Sequence, residues 1–274
     1  TGNPRYIDSY ERNLLNHRLG TIQPETGHSA YFLSLTAGAW KTFCSEDNSF
    51  WCCTGSALEE FAKLADTIYH HDGQGIYVNL FIASELDDRE RGIRLRQETG
   101  FPVEPRTAVI VTAAPPKEFT LRLRMPGWLE GAPAVRINGR KLEGGAAPGG
   151  YLSVRRVWKK GDRVDLELPM ALRTEGTPDD ASLQAVLYGP LVLAADLGGE
   201  GLTRERIVNR QGPEVHQTPV KMPVLASSGK PVSAWVKRAG SAALSFEAAG
   251  ADGRLVLSPL HGQWNRYAAY FKVG

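Results

Sequence analysis

The chain has 274 residues, of which 23% are charged, and a formal net charge of +2 with both signs interspersed. This balance argues against nucleic acid or an anionic membrane as partner, and no run approaches the roughly 18 apolar residues of a membrane span. Three cysteines are too few, and an odd count, for a disulfide framework, which leaves the redox compartment open.

Thr1 stands where a Met would open a full reading frame, which suggests a processed or partial chain. Tyr6, Tyr10, Leu14, Leu15 and Leu19 then recur at helical spacing and predict a first amphipathic helix. A turn at Gln23-Pro24-Glu25-Thr26-Gly27 follows, then an apolar and aromatic stretch from Ser29 to Trp40, then a polar loop through Asp47 and Asn48. Leu58, Phe61, Ala62, Ala65 and Ile68 predict a second helix, with Thr54 or Ser56 as its cap and Glu59 and Glu60 in its first turn. Two helices and a long loop cannot bury their own apolar faces, so residues 1–70 are expected to belong to a larger helical body.

From His70-His71-Asp72-Gly73 onward the period changes to two. Gly75 to Ile82, Ile93 to Gln97, Ala108 to Thr112, Thr120 to Met125 and Val164 to Leu168 are short alternating or β-branched runs separated by Gly, Pro and Asp. Val135-Arg136-Ile137-Asn138-Gly139-Arg140 predicts a hairpin on an Asn-Gly turn. Residues 71–175 therefore read as a β-sandwich. Leu183 to Ala195 predicts a strand pair around Gly189-Pro190, and Leu255-Val256-Leu257 with Tyr267 to Phe271 close a second β-sandwich region over 176–274. Its stretch from Gly198 to Ser245 is Gly-, Pro- and Ser-rich and gives weak strand signals. No repeat recurs at a fixed period, which argues against a solenoid or propeller.

The most informative chemistry is the adjacent pair Cys52-Cys53 in Ser49-Phe50-Trp51-Cys52-Cys53-Thr54-Gly55-Ser56, just ahead of the second helix. A disulfide between sequence neighbours is strained, so the pair reads as free thiols. Entering a helix N-terminus, they suit a metal or a thiolate nucleophile. Cys44 and Glu46 could complete a local four-donor zinc site, although Cys44 is more simply a packed thiol and donors from elsewhere fit better. His70-His71 reads as a helix C-terminal feature, and His17, His28, His216 and His261 are isolated. Glu11 reads, by composition alone, as a solvated charge paired with a neighbour. The absence of a Gly-rich phosphate loop, a Gly-x-Ser-x-Gly elbow and a His-Glu-x-x-His sets aside nucleotide chemistry and serine hydrolysis.

Several runs together resemble the β-L-arabinofuranosidase glycoside hydrolases of family 127 and its relative family 146. They are Gly2-Asn3-Pro4-Arg5-Tyr6-Ile7-Asp8, Tyr10-Glu11-Arg12-Asn13-Leu14-Leu15-Asn16, the cysteine run, Ile68-Tyr69-His70-His71-Asp72-Gly73 and Gly92 to Thr99. Arg124-Met125-Pro126-Gly127-Trp128, Trp158 to Asp162, Tyr188-Gly189-Pro190-Leu191-Val192 and Arg266-Tyr267 extend the resemblance with lower specificity. It implies an α+β multidomain chain: the C-terminal piece of an (α/α)6 barrel over 1–70, followed by β-sandwich domains. It also implies a retaining glycosidase acting on arabinose-containing glycans, with Cys52 as nucleophile and zinc ligand, Cys53 as a second zinc ligand, and Glu11 and Tyr31 in contact with the sugar.

The family takes two further zinc ligands from a Glu-x-Cys, and its acid/base glutamate, from upstream sequence; no Glu-x-Cys occurs in these 274 residues. The chain is accordingly expected to need the upstream part of the same enzyme as its partner and to be inactive alone. A bacterial, exported setting is slightly favoured. The competing reading is a non-catalytic β-sandwich module with packed cysteines, in which Trp128, Trp158, Trp235 and Trp264 could form a sugar platform.

Overall fold

A computed structural model describes residues 2–31, 33–47, 51–208, 220–240 and 242–274. Ser49, Phe50 and His216 thus lie outside the described residues. The chain divides into two compact units, one made of residues 1–11 and 62–171, the other of 12–61 and 172–274. The segment 1–70, expected as one piece of a helical body, is shared between them. The reason is apolar surface: helix α1 (Pro4–Asn13) buries Ile7 and Glu11, and helix α2 (Cys52–Ala62) buries only Ala57. Neither helix owns a core. Helix α3 (Leu64–Ile68) leads into the first strand.

In the first unit, β1 (Tyr69–Asp72), β2 (Gly75–Val78), β3 (Ser84–Asp88), β4 (Ile93–Thr99), β5 (Arg106–Ala113), β6 (Phe119–Met125), β7 (Val135–Ile137), β8 (Arg140–Lys141), β9 (Gly150–Arg156) and β10 (Arg163–Glu167) form two sheets. One has the order β1-β2-β6-β9, with β2 parallel to β6; the other has the order β3-β4-β5-β10-β7-β8 and is antiparallel throughout. Alternation dictates the packing. In β4, Ile93, Leu95 and Gln97 are buried while Arg94, Arg96 and Glu98 are exposed. Ile93, Leu95, Val109 and Val111 join Ile76, Val78, Leu121, Leu123 and Trp158 in one apolar cluster shared by both sheets. Gln97 is satisfied within it, its amide donating to the carbonyls of Leu80 (2.8 Å) and Ile82 (2.6 Å).

Two glycines are fixed by geometry. Gly139 (φ +78°) follows Asn138 (φ +52°) in the β7–β8 turn, as the Asn-Gly pair predicts. Gly75 stands where β2 meets β6 so closely that a Cβ would lie 1.9 Å from the Thr120 carbonyl oxygen.

The second unit holds β11 (Leu172–Gly176), β12 (Leu183–Tyr188), β13 (Leu191–Asp196), β14 (Val224–Leu225), β15 (Val236–Arg238), β16 (Phe246–Gly250), β17 (Gly253–Pro259), β18 (Tyr267–Ala268) and β19 (Phe271–Val273). All nine pair into one sheet, where two packed sheets were expected. The pairing runs β12-β19-β14-β16-β17-β13, and β12 and β13 also pair with each other as a hairpin. Strand periodicity specifies which face is buried and not which strands join, so the sequence could not distinguish the two arrangements. Buried Asn16, in the π-helical segment Leu14–Arg18 that continues α1, is tied to that hairpin: its amide donates to the Pro190 carbonyl (2.8 Å), and its carbonyl oxygen accepts from the Val192 N–H (2.6 Å).

Lys41 is 2% exposed in this unit. Its ammonium donates to the carbonyls of Leu260 (3.2 Å) and His261 (2.7 Å) and lies 4.3 Å from the Trp264 ring centre. Burial lowers its pKa to about 7. The folded state therefore holds fewer protons than the unfolded state between about pH 7 and the ordinary lysine value. Stability should climb through that window by up to about 1.4 kcal/mol per pH unit, and Lys41→Met should flatten the climb in urea titrations between pH 7 and 10. An unchanged slope would contradict the assignment.

Candidate functional site

Helix α2 begins at Cys52, three residues earlier than a Thr54 cap would place it, with the Thr54 N–H bonded to the Trp51 carbonyl (3.0 Å). The expected hydroxyl caps are used otherwise. Thr54 Oγ1 meets Ser29 Oγ at 2.8 Å, and Ser56 donates to the Cys52 carbonyl (3.3 Å). Glu59 and Glu60 consequently sit beyond the first turn, where Glu60 pairs with Arg18. Both cysteines occupy the first helical turn, where the helix dipole favours an anion.

Cys52 is exposed, Cys53 half-buried, and both are free thiols with sulfurs 3.7 Å apart. Two sulfurs bound to one zinc at about 2.3 Å in a tetrahedron would stand about 3.8 Å apart. The pair thus fits two corners of such a site without rearrangement. Burial pushes the Cys53 thiol up, and its hydrogen bond and charge interaction with Cys52 add to the shift; the Arg18 guanidinium opposes it. Left to the protein alone, Cys53 is a protonated thiol at neutral pH.

Tyr31 comes to the same place although 21 positions separate it from Cys52. Its phenol is pushed up in pKa, first by the charge of Cys52 and a hydrogen bond with that sulfur, then by Cys53. Trp51 meets the Tyr31 ring edge to face at 5.7 Å. Sequence reasoning passed over Trp51, though it adjoins the pair. It also passed over Arg18, which nothing in the sequence links to Cys53.

Cys44 is buried, 3.9 Å from the Ser29 hydroxyl. Among the described residues no three His, Cys, Asp or Glu side chains gather so as to hold a metal. The local Cys44–Glu46–Cys52–Cys53 site is therefore not assembled.

Glu11 departs from expectation most. It is 2% exposed, not solvated. One carboxylate oxygen accepts from Arg124 Nη2 and the other from the Trp128 indole N–H (2.7 Å). Arg124 is itself fully buried, donates also to Asp8 and to the Asn79 carbonyl (2.5 Å), and sits over the Phe81 ring. Both Glu11 oxygens are engaged inside the first unit. His70 and His71 lie in β1, exposed, and cap no helix. Of the four platform tryptophans, Trp158 and Trp235 are buried and Trp128 stacks on Phe101 at 5.8 Å; only Trp264 is well exposed, at 40%.

Residues 1–66 match the family described as β-L-arabinofuranosidase, GH127 catalytic domain, and residues 75–170 match the GH127 middle domain. Residues 173–273 match a domain of unknown function. A curated non-reducing end β-L-arabinofuranosidase from Bifidobacterium longum subsp. longum is 27% identical over 156 residues, which cover 53% of this chain and 23% of that protein. Among solved structures, a GH127 β-L-arabinofuranosidase from Geobacillus stearothermophilus T6 superposes with a TM-score of 0.73 at 20% identity, over 99% of this chain and 47% of that one. A GH127 β-arabinofuranosidase gives 0.74 at 21% identity, over 100% of this chain and 46% of that one. A glycoside hydrolase gives 0.76 at 22% identity, over 100% and 49%. The chain spans about a quarter of the curated relative and about half of each solved structure. These structural likenesses establish a shared fold.

Proposed function

The chain belongs to the GH127 β-L-arabinofuranosidase family, whose catalytic and middle domains it matches in succession, and from that membership we propose that it is the C-terminal part of a retaining glycosidase with Cys52 as nucleophile. In this reading the helices of residues 1–70 complete an (α/α)6 barrel begun upstream, and the strands that follow form its β-domains. The observation that carries the proposal is the pair of sulfurs 3.7 Å apart in the first turn of α2, Cys52 exposed and Cys53 half-buried, with the Tyr31 phenol beside them.

The Cys52 sulfur attacks the anomeric carbon of a β-L-arabinofuranoside while the glycosidic oxygen leaves with a proton from a carboxylic acid of the upstream part. Water then cleaves the thioglycoside, which restores the thiolate and retains configuration. Cys52 and Cys53 would hold a zinc ion together with two upstream donors, and the ion would keep the Cys52 sulfur ionised and aimed. Tyr31, its phenol held neutral by the sulfurs beside it, orients the sugar at the nucleophile. Glu11 enters as a brace for α1. Taken alone, the 274-residue chain has half of the donor set and no acid/base group, and we read it as inactive by itself.

The alternative, a binding module with packed cysteines, accords poorly with the exposure of Cys52 and the burial of Trp158 and Trp235. Metal content separates the two. The full-length enzyme should hold about one zinc per chain and lose it on Cys53→Ser; a wild-type enzyme free of zinc would favour the module.

A further inference from the structure

The first unit carries a cleft of about 430 Å³ that has no part in the chemistry assigned to Cys52, walled by Tyr6, His70, His71, Asp72, Tyr77 and Tyr151. Its charges are already spent. Asp72 accepts from the N–H groups of Gln74 (2.8 Å) and Gly75 (2.9 Å), from Arg122 Nη1 (3.2 Å) and from the Tyr77 hydroxyl (3.1 Å). These bonds hold its carboxyl below the usual range although burial opposes them. Arg122 in turn lies over the Tyr77 ring, 4.7 Å from its centre. An ionic ligand would find neither a free carboxylate nor a free guanidinium in this pair.

The aromatic walls are fixed. Tyr77 and Tyr151 meet edge to face at 5.1 Å, and the Tyr151 hydroxyl donates to Asn79 Oδ1 (2.7 Å). Tyr6 is 66% exposed and His70 and His71 are exposed, so the rim offers rings and polar edges together. A purely apolar ligand would strand those polar edges. A sugar ring presents a C–H face and a hydroxyl rim at once, which matches aromatic walls set among polar groups.

We propose that this cleft is a saccharide-binding subsite for neutral sugar rings; that the rings belong to the arabinose-containing substrate rests on the function proposed above. The test uses the full-length enzyme with Cys52→Ser to prevent turnover, titrated with L-arabinotriose in a calorimeter. Two sugar sites should be seen, and Tyr6→Ala with His70→Ala should abolish one or weaken it by about tenfold or more. Both side chains are exposed, so folding should survive, and an unchanged far-ultraviolet spectrum checks this. A single site, or an isotherm indifferent to Tyr6→Ala and His70→Ala, would overturn the subsite while leaving the nucleophile untouched. Hydrolysis indifferent to Cys52→Ser would overturn the catalytic reading and leave the cleft standing.

Discussion

Cys52→Ser in the full-length enzyme should lower kcat by about 10⁴-fold or more with little change in KM. The serine hydroxyl is nearly isosteric, so the sugar would still be bound by groups around it. A hydroxyl is far less acidic than a thiol, however, and it neither ionises readily nor bridges to a soft cation as sulfur does. The loss should therefore fall on the chemical step. Cys53→Ser should also cost rate, through loss of zinc, and added zinc should rescue it in part. Rescue of Cys52→Ser by zinc is not expected, because there the attacking atom itself is gone. A Cys52→Ser enzyme within tenfold of wild type would remove the nucleophile from the account.

Arg124→Met should destabilise the fold by about 3–5 kcal/mol, the range for breaking a buried ion pair from one side. Arg124 is fully buried and serves Asp8, Glu11 and the Asn79 carbonyl at once. Methionine fills much of the same volume but leaves Glu11 as a buried carboxylate with the Trp128 indole as its remaining partner. Arg124→Lys keeps the charge and loses the fork, and so should fall between. Glu11→Gln placed on Arg124→Met should recover part of the loss, since it removes the stranded charge. Urea unfolding followed by tryptophan emission reads the effect, Trp128 being part of the cluster. A loss below about 1 kcal/mol would place the cluster among interactions of the surface kind.

Legibility in the sequence followed the range of the interactions. The Asn138-Gly139 hairpin and the β12–β13 pair around Gly189-Pro190 are set by neighbours in the chain, and both form as the residues predict. Several strands went unread, Phe246–Gly250 between its partners β15 and β17 among them. Ser84–Asp88 has the composition of a turn and is a strand because it pairs with β4 along its whole length. Gly150–Arg156 follows a Gly-rich stretch and is ordered by seven paired positions along β6. Tyr69–Asp72 read as a helix terminus until β2 pairs with it, and Leu172–Gly176 is fixed by β12. In each case a partner strand overrides a weak local preference.

The site divides in the same way. The cysteine pair and the helix it opens are local and legible in the sequence, while the start of α2 is displaced because the Thr54 hydroxyl serves Ser29 across the loop. Glu11 was misjudged for want of a partner 113 positions away. Nothing short of the folded chain reveals that contact, since a glutamate on an amphipathic helix reads as solvated until an arginine is buried against it.

The nucleophile can be observed by treating the full-length enzyme with an arabinofuranose derivative bearing an electrophile at its anomeric carbon, digesting it and sequencing the labelled peptide by mass spectrometry. The account predicts one sugar per chain, attached to the Cys52 sulfur and absent from Cys52→Ser. A label carried by a carboxylate instead, with the Cys52 thiol unmodified, would contradict it.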